Sequence, residues 1–117
     1  MENPGDIQFQ TIDWLVFDKT MHPGKTGTAS WQTMQFSGLR IRLVDYSPGY
    51  IADHWCTKGH IVHCLEGRVD SELQNGEVFT LIKDMSYIVS DELSRHRSCT
   101  KDGAKLLIID GDFLQRK

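Results

Sequence analysis

Apolar and polar positions alternate along most of the chain, in short runs set apart by turn residues. The runs TIDWLVF, GTASWQTMQF, LRIRLVDY, HIVHCLEG, EVFTLI, SYIVS and AKLLIID are rich in β-branched and aromatic residues. Most of them alternate, as half-buried strands do. Turn signals fall between them: HPGKTG, SPGY, TKGH, QNGE and KDGA. Asn75-Gly76, between DSELQ and EVFTL, is the strongest of these and predicts a type I′ hairpin, whose two central residues both need positive φ. No window sustains the 3.6-residue apolar period of an amphipathic helix, and no repeat, low-complexity tract or linker divides the chain. Strands recurring at this spacing predict one all-β domain, an antiparallel barrel or sandwich with little or no helix.

Composition narrows the class without changing that picture. At 117 residues the chain is long enough to bury a core without disulfides. Its 13 Lys and Arg against 16 Asp and Glu give a net charge of -3, with the basic residues scattered, so neither a nucleic-acid footprint nor a membrane-binding surface is expected. The opening MENPGDIQFQ lacks the pattern of a signal peptide and no apolar run approaches a membrane span, which makes the cytoplasm the expected location. Three cysteines are an odd number, and they read as free thiols or ligands rather than as a disulfide frame.

Two motifs are misleading. PGKTG resembles the end of a phosphate-binding loop, but Lys19 stands where that motif needs its first glycine, and no helix is expected to follow. Arg40 and Arg42 share one face of their strand, opposite Leu39, Ile41 and Leu43. A solvated sheet face is the expectation, with anion-binding arginines in a pocket as the alternative.

The chemistry concentrates in ADHWCTKGHIVHCLEG, residues 52–67, which holds three of the five histidines and two of the three cysteines. On a strand, His54 and Cys56 point to one face about 6–7 Å apart while Trp55 points away. A turn at TKG then lets His60 lie across from them. Imidazole and thiolate suit zinc, iron, nickel or copper and match calcium or magnesium poorly, so a transition-metal site competes with a crowded piece of core. His63 has the opposite parity to His60 and is expected at the surface or an interface. Cys64 shares the parity of His60 and is expected as a buried apolar thiol, as is Cys99. Asp53 and Trp55 should point away from the metal, His22 should sit in a turn, and Trp31, Met34, Tyr46 and Tyr50 are candidates for core or for a barrel mouth.

PGYIADHWCTKGHIVHCLEG resembles the first motif of the cupin superfamily. Pro48 and Gly49 match its opening, His54 its first ligand, Cys56 the place of its second histidine, His60 the place of its glutamate, and Gly67 its closing glycine. KDMSYIVSDELSRHRSCT resembles the second motif, which implies His96 as a fourth ligand, with Thr100 where that motif has asparagine. With TGTASWQT before and GAKLLIID after, the chain is similar to small bacterial cupins described by a DHCW motif. The resemblance implies a double-stranded β-helix over residues 1–117, with N-terminal strands in residues 1–20 packing on the barrel or on a partner copy, and one divalent transition metal held by His54, Cys56, His60 and His96.

Replacing a histidine and the glutamate in this way keeps one negative charge, now on the sulfur. Four donors around zinc close a tetrahedron, whereas an octahedral iron or nickel keeps open positions. Three functions follow as expectations: a metal-dependent enzyme on a small organic molecule, of dioxygenase or isomerase type; a non-enzymatic module that binds a small molecule or senses metal or redox state; and a metal-free, epimerase-like cupin, against which Cys56 speaks. A homodimer is also expected, with Ile12, Trp14 and Val16 on one face of an N-terminal strand that covers an exposed edge.

Overall fold

The computed structural model describes residues 5–116. Among the described residues eight strands form: β1 Thr20–Pro23, β2 Thr28–Phe36, β3 Leu39–Tyr46, β4 His60–Leu73, β5 Val78–Ile82, β6 Ser86–Val89, β7 His96–Cys99 and β8 Ala104–Gly111. Every named pairing is antiparallel. The order β1-β2-β3-β8-β4-β5 runs across the sheet, with β6 and β7 each pairing to β4. The long β4 joins two sheets: its first half pairs with β8 and β6, its second half with β5 and β7. This is the expected double-stranded β-helix, and no α-helix occurs among the described residues.

A bulge makes β4 serve both sheets. His60, Val62 and Cys64 are buried before it, Val69 and Ser71 after it, so the inward parity changes from even to odd. The register with β8 shifts between Cys64 and Glu66, where one extra residue re-aims the strand. Gly67 follows, at φ 79°, and a Cβ there would lie 2.3 Å from the Gly103 carbonyl oxygen, so only glycine fits. Between the sheets pack Val44, Val62, Cys64, Val69, Leu81, Leu106 and Ile108. Burial of each such aliphatic side chain contributes about 1.5–3 kcal/mol.

Three local expectations are corrected. Asn75-Gly76 does turn a hairpin, but only Gly76 has positive φ: its N–H donates to the Leu73 carbonyl and the Leu73 N–H to that of Glu77, a three-residue loop with a bulged glycine. TIDWLVF forms no strand. Asp13 accepts a hydrogen bond from the Leu15 N–H and starts a 3₁₀ turn at Trp14–Val16, and Gln32, buried in β2, donates to the Trp14 and Phe17 carbonyls, so the segment is pinned as a loop. His22 lies in β1 rather than in a turn, stacked on Trp31 at 3.7 Å between ring centres.

Candidate metal centre

Residues 52–59 are not a strand, and this decides which side chains meet. The segment meets β7 at the Ala52 N–H, which donates to the Ser98 carbonyl at 3.0 Å, and at a reciprocal pair, the Cys56 N–H donating to the His96 carbonyl at 2.7 Å and the His96 N–H to that of Cys56 at 3.0 Å. Cys56 is thereby fixed beside His96, the first residue of β7, and His60 opens β4 on the same inward face. One donor atom from each of Cys56, His60 and His96 lies within 4.8 Å of the others. The two imidazoles stand edge to face at 5.4 Å between centres.

The donor set carries the marks of a ligand site. His96 Nδ1–H donates to the Ser94 carbonyl at 3.1 Å, which leaves Nε2 as the lone-pair nitrogen; that Nε2 is buried and has no hydrogen-bond partner among the described residues. Buried polar atoms are nearly always hydrogen-bonded, so an imidazole lone pair left over beside a thiol fits an electrophile such as a metal ion. Burial lowers the His96 pKa, the Ser94 bond working against it, and so favours the neutral ring that ligates. Burial also pushes the Cys56 thiol up, but the hydrogen bond from His60, the backbone of Lys58 and the charges of His60 and Arg42 outweigh it and hold the thiol below its usual range.

The group faces a cavity of about 270 Å³. No known family profile matches the chain, and no curated protein matches its sequence. Solved structures do. An RmlC-like cupin from Shewanella frigidimarina superposes with a TM-score of 0.70 at 14% identity, over 89% of this chain and 91% of its own. A sugar phosphate isomerase from a cupin superfamily, of Silicibacter pomeroyi, gives 0.69 at 14% identity, over 87% and 75%. FeII HppE gives 0.72 at 13% identity, over 92% of this chain and 65% of its own. The fold is that of the cupin superfamily.

Within this cupin fold the cavity's other wall corrects the reading of Arg40 and Arg42. Arg42 is buried and Arg40 only partly exposed: both line the cavity and close on Asp110 of β8, itself buried. Arg40 bonds it bidentately, Nε to Oδ1 at 3.1 Å and Nη2 to Oδ2 at 2.8 Å, and Arg42 Nη2 reaches Oδ2 at 3.2 Å. His60 Nε2 stands 3.7 Å from the same oxygen. Burial alone would raise the Asp110 pKa, but Arg40, then Arg42 and His60, hold the carboxyl below its usual range. Asp110 was missed in the sequence, although the alternation of AKLLIID puts it on the face of Leu106 and Ile108.

His54 stands apart from the three donors. Its side chain is 76% exposed on the cavity rim, with Nδ1 2.6 Å from an Asp53 carboxylate oxygen. The expected strand pairing of His54 with Cys56 is absent because the backbone is irregular there. His63 is bonded to the Ser86 hydroxyl and lies outside the group, and Cys64 is wholly buried in the core. Tyr46 and Tyr50 stack at 4.3 Å along the cavity wall, and burial raises both phenol pKa values, that of Tyr50 to about 12. Thr100, in the cupin asparagine position, is buried and ties its turn, donating to the Arg68 carbonyl and accepting from the Gly103 N–H.

Proposed function

We propose that this cupin holds one divalent transition metal, zinc, iron or nickel, through Cys56, His60 and His96, and acts with it on a small organic molecule bound in the cavity. The unpartnered Nε2 of His96, buried beside a thiol and a second imidazole, carries this reading. Such an ion supplies Lewis-acid polarisation of a substrate oxygen and, if iron, redox chemistry with dioxygen. Three protein donors leave room for a substrate, the pattern of catalytic rather than structural sites. The chain's own residues then divide the work. Cys56 supplies the negative charge, Asp110 places a carboxylate charge 3.7 Å from His60 Nε2, and Tyr46 and Tyr50, kept protonated by burial, offer hydrogen-bond donors along the wall. Isomerase and dioxygenase chemistry both fit this arrangement.

A second reading has an observation of its own. His54 lines the same cavity, and rotation away from Asp53 would add a fourth donor and close a tetrahedron, as in a structural or redox-sensing site. Elemental analysis of protein purified without a histidine tag, joined to the absorption spectrum of its cobalt form, separates the two. One metal per chain, a thiolate-to-cobalt charge-transfer band and a cobalt spectrum that shifts as added anions displace bound water support the open site. A tetrahedral spectrum indifferent to anions supports the closed one, and a chain that takes up no metal overturns both. We also propose a homodimer, because the N-terminal segment exposes Phe9 and Leu15 almost fully and Val16 largely; a monomeric mass by light scattering would refute it.

A further inference from the structure

We infer that Arg42 and Arg40 form a carboxylate subsite, so that the molecule presented to Cys56, His60 and His96 is a small organic acid. The inference rests on the reading above for the identity of the reacting end and on separate residues for the anionic end.

Arg40 and Arg42 are two residues apart on β3 and face inward, and β8 pairs with β3 in a register that sets Asp110 against Arg40. Two guanidinium cations thus share one carboxylate; Cys56 is a thiolate-forming group whose charge also reaches Arg42, and once that sulfur is engaged by the metal one positive charge is left uncompensated. The remaining cavity cations are matched: Lys58 pairs with Asp91 at 3.7 Å and Arg97 with Glu72 at 3.3 Å.

Hydrogen bonding locates the surplus. Arg40 spends its side-on fork, Nε and Nη2, on the two oxygens of Asp110. Arg42 gives only Nη2 to Asp110, and its Nε is buried without a hydrogen-bond partner among the described residues, in a side chain only 7% exposed. A buried charged donor with an unmade bond is costly to keep unless a ligand completes it. The guanidinium also lies 4.5 Å above the Trp31 ring, which fixes its plane before any ligand arrives. Trp31, Tyr46, Leu106 and Ile108 supply apolar wall for the rest of the molecule.

The class of anion follows from the count. One excess charge and one vacant side-on donor suit a planar monoanionic carboxylate better than a phosphate, which brings more charge and three acceptor oxygens. Asp110 Oδ2 lies within 3.2 Å of Arg42 and 3.7 Å of His60, so the two ends of the site adjoin and the acid must be short. A 2-hydroxy or 2-oxo acid, with an oxygen next to the carboxylate, spans them.

Titration calorimetry tests this with mandelate, its uncharged amide mandelamide and inorganic phosphate, each on metal-free and zinc-loaded protein. The expected result is mandelate bound at least tenfold tighter than mandelamide, with phosphate weaker than mandelate. Arg42→Gln should erase the preference for acid over amide while zinc uptake persists. Arg42→Lys, which keeps the charge and loses the fork, should retain only part of it, and the acid-amide comparison on the unaltered chain needs no variant. A preference without any zinc uptake supports the carboxylate subsite and contradicts the metal assignment instead. Zinc uptake with equal affinities for mandelate and mandelamide, absence of mandelate binding, or phosphate tighter than mandelate each overturns this inference alone.

Discussion

Cys56 and Cys64 lie in one short stretch of chain, and their surroundings oppose each other. Cys64 sits on β4 with no exposure, its Sγ directed to the Glu66 and Gly67 carbonyls, and burial pushes its pKa up. Cys56 sits in irregular backbone beside two imidazoles, and the hydrogen bond from His60, the backbone of Lys58 and the charges of His60 and Arg42 overcome the effect of burial and pull its pKa down. The same side chain is core filler in one place and a ligand candidate in the other. The difference comes from what the sheets bring alongside: apolar β8 against Cys64, the start of β7 and the Arg40-Arg42-Asp110 group near Cys56.

The largest effect that should separate the two regions comes from Asp110. Asp110→Asn leaves Arg40 and Arg42 without their carboxylate and should lower unfolding free energy by about 3–5 kcal/mol, read by urea denaturation. The pH dependence has a definite sign. The folded pKa of Asp110 lies below the unfolded value of about 3.9, so its contribution is complete above that pH and is lost as the pH falls through the folded value. Wild type should therefore lose stability on that acid limb, and Asp110→Asn should show a flatter one. Superimposable acid limbs would mean that the ion pairs contribute nothing to the fold.

Next in size is metal-linked stability. A ligand that binds the native chain at a hundred times its Kd stabilises it by about 2.7 kcal/mol, several degrees in Tm for a domain of this size. Zinc should raise the Tm of wild type and of Cys64→Ser, and should not raise that of His96→Ala or Cys56→Ser. A zinc-dependent rise that survives in His96→Ala would place the metal elsewhere. The smallest effects concern His63 and His54. His63→Ala should leave zinc affinity unchanged, and His54→Ala should weaken it by less than about tenfold, under 1.4 kcal/mol, if three donors suffice. A loss at His54 as large as at His96 would favour the closed four-donor site.

Much of this architecture is legible in the chain because burial on one sheet face writes itself as alternation. LRIRLVDY and AKLLIID read directly as β3 and β8. TIDWLVF did not, since an apolar, β-branched run cannot show that Asp13 will start a 3₁₀ turn or that Gln32 will hold the segment by its carbonyls. Cys56, His60 and His96 were found through their residue types and a motif, although the strand expected to carry His54 and Cys56 is missing. For Arg40 and Arg42 a solvated face is the expectation and a pocket the alternative, because parity shows that two residues share a face without showing which face is inside. Their partner Asp110 lies far along the chain, and only the β3–β8 register brings it across.

The most direct test of the metal centre is the alkylation rate of Cys56 against Cys64 and Cys99, followed by peptide mapping in metal-free and zinc-loaded protein. A coordinated sulfur is shielded, whereas the free thiol, drawn toward thiolate by His60 and Arg42, is reactive. The account predicts that Cys56 labels at least tenfold faster without metal than with it, and that Cys64 and Cys99, both pushed up in pKa by burial, label slowly in either state. Equal rates at Cys56 in protein shown to carry a full equivalent of zinc would contradict it.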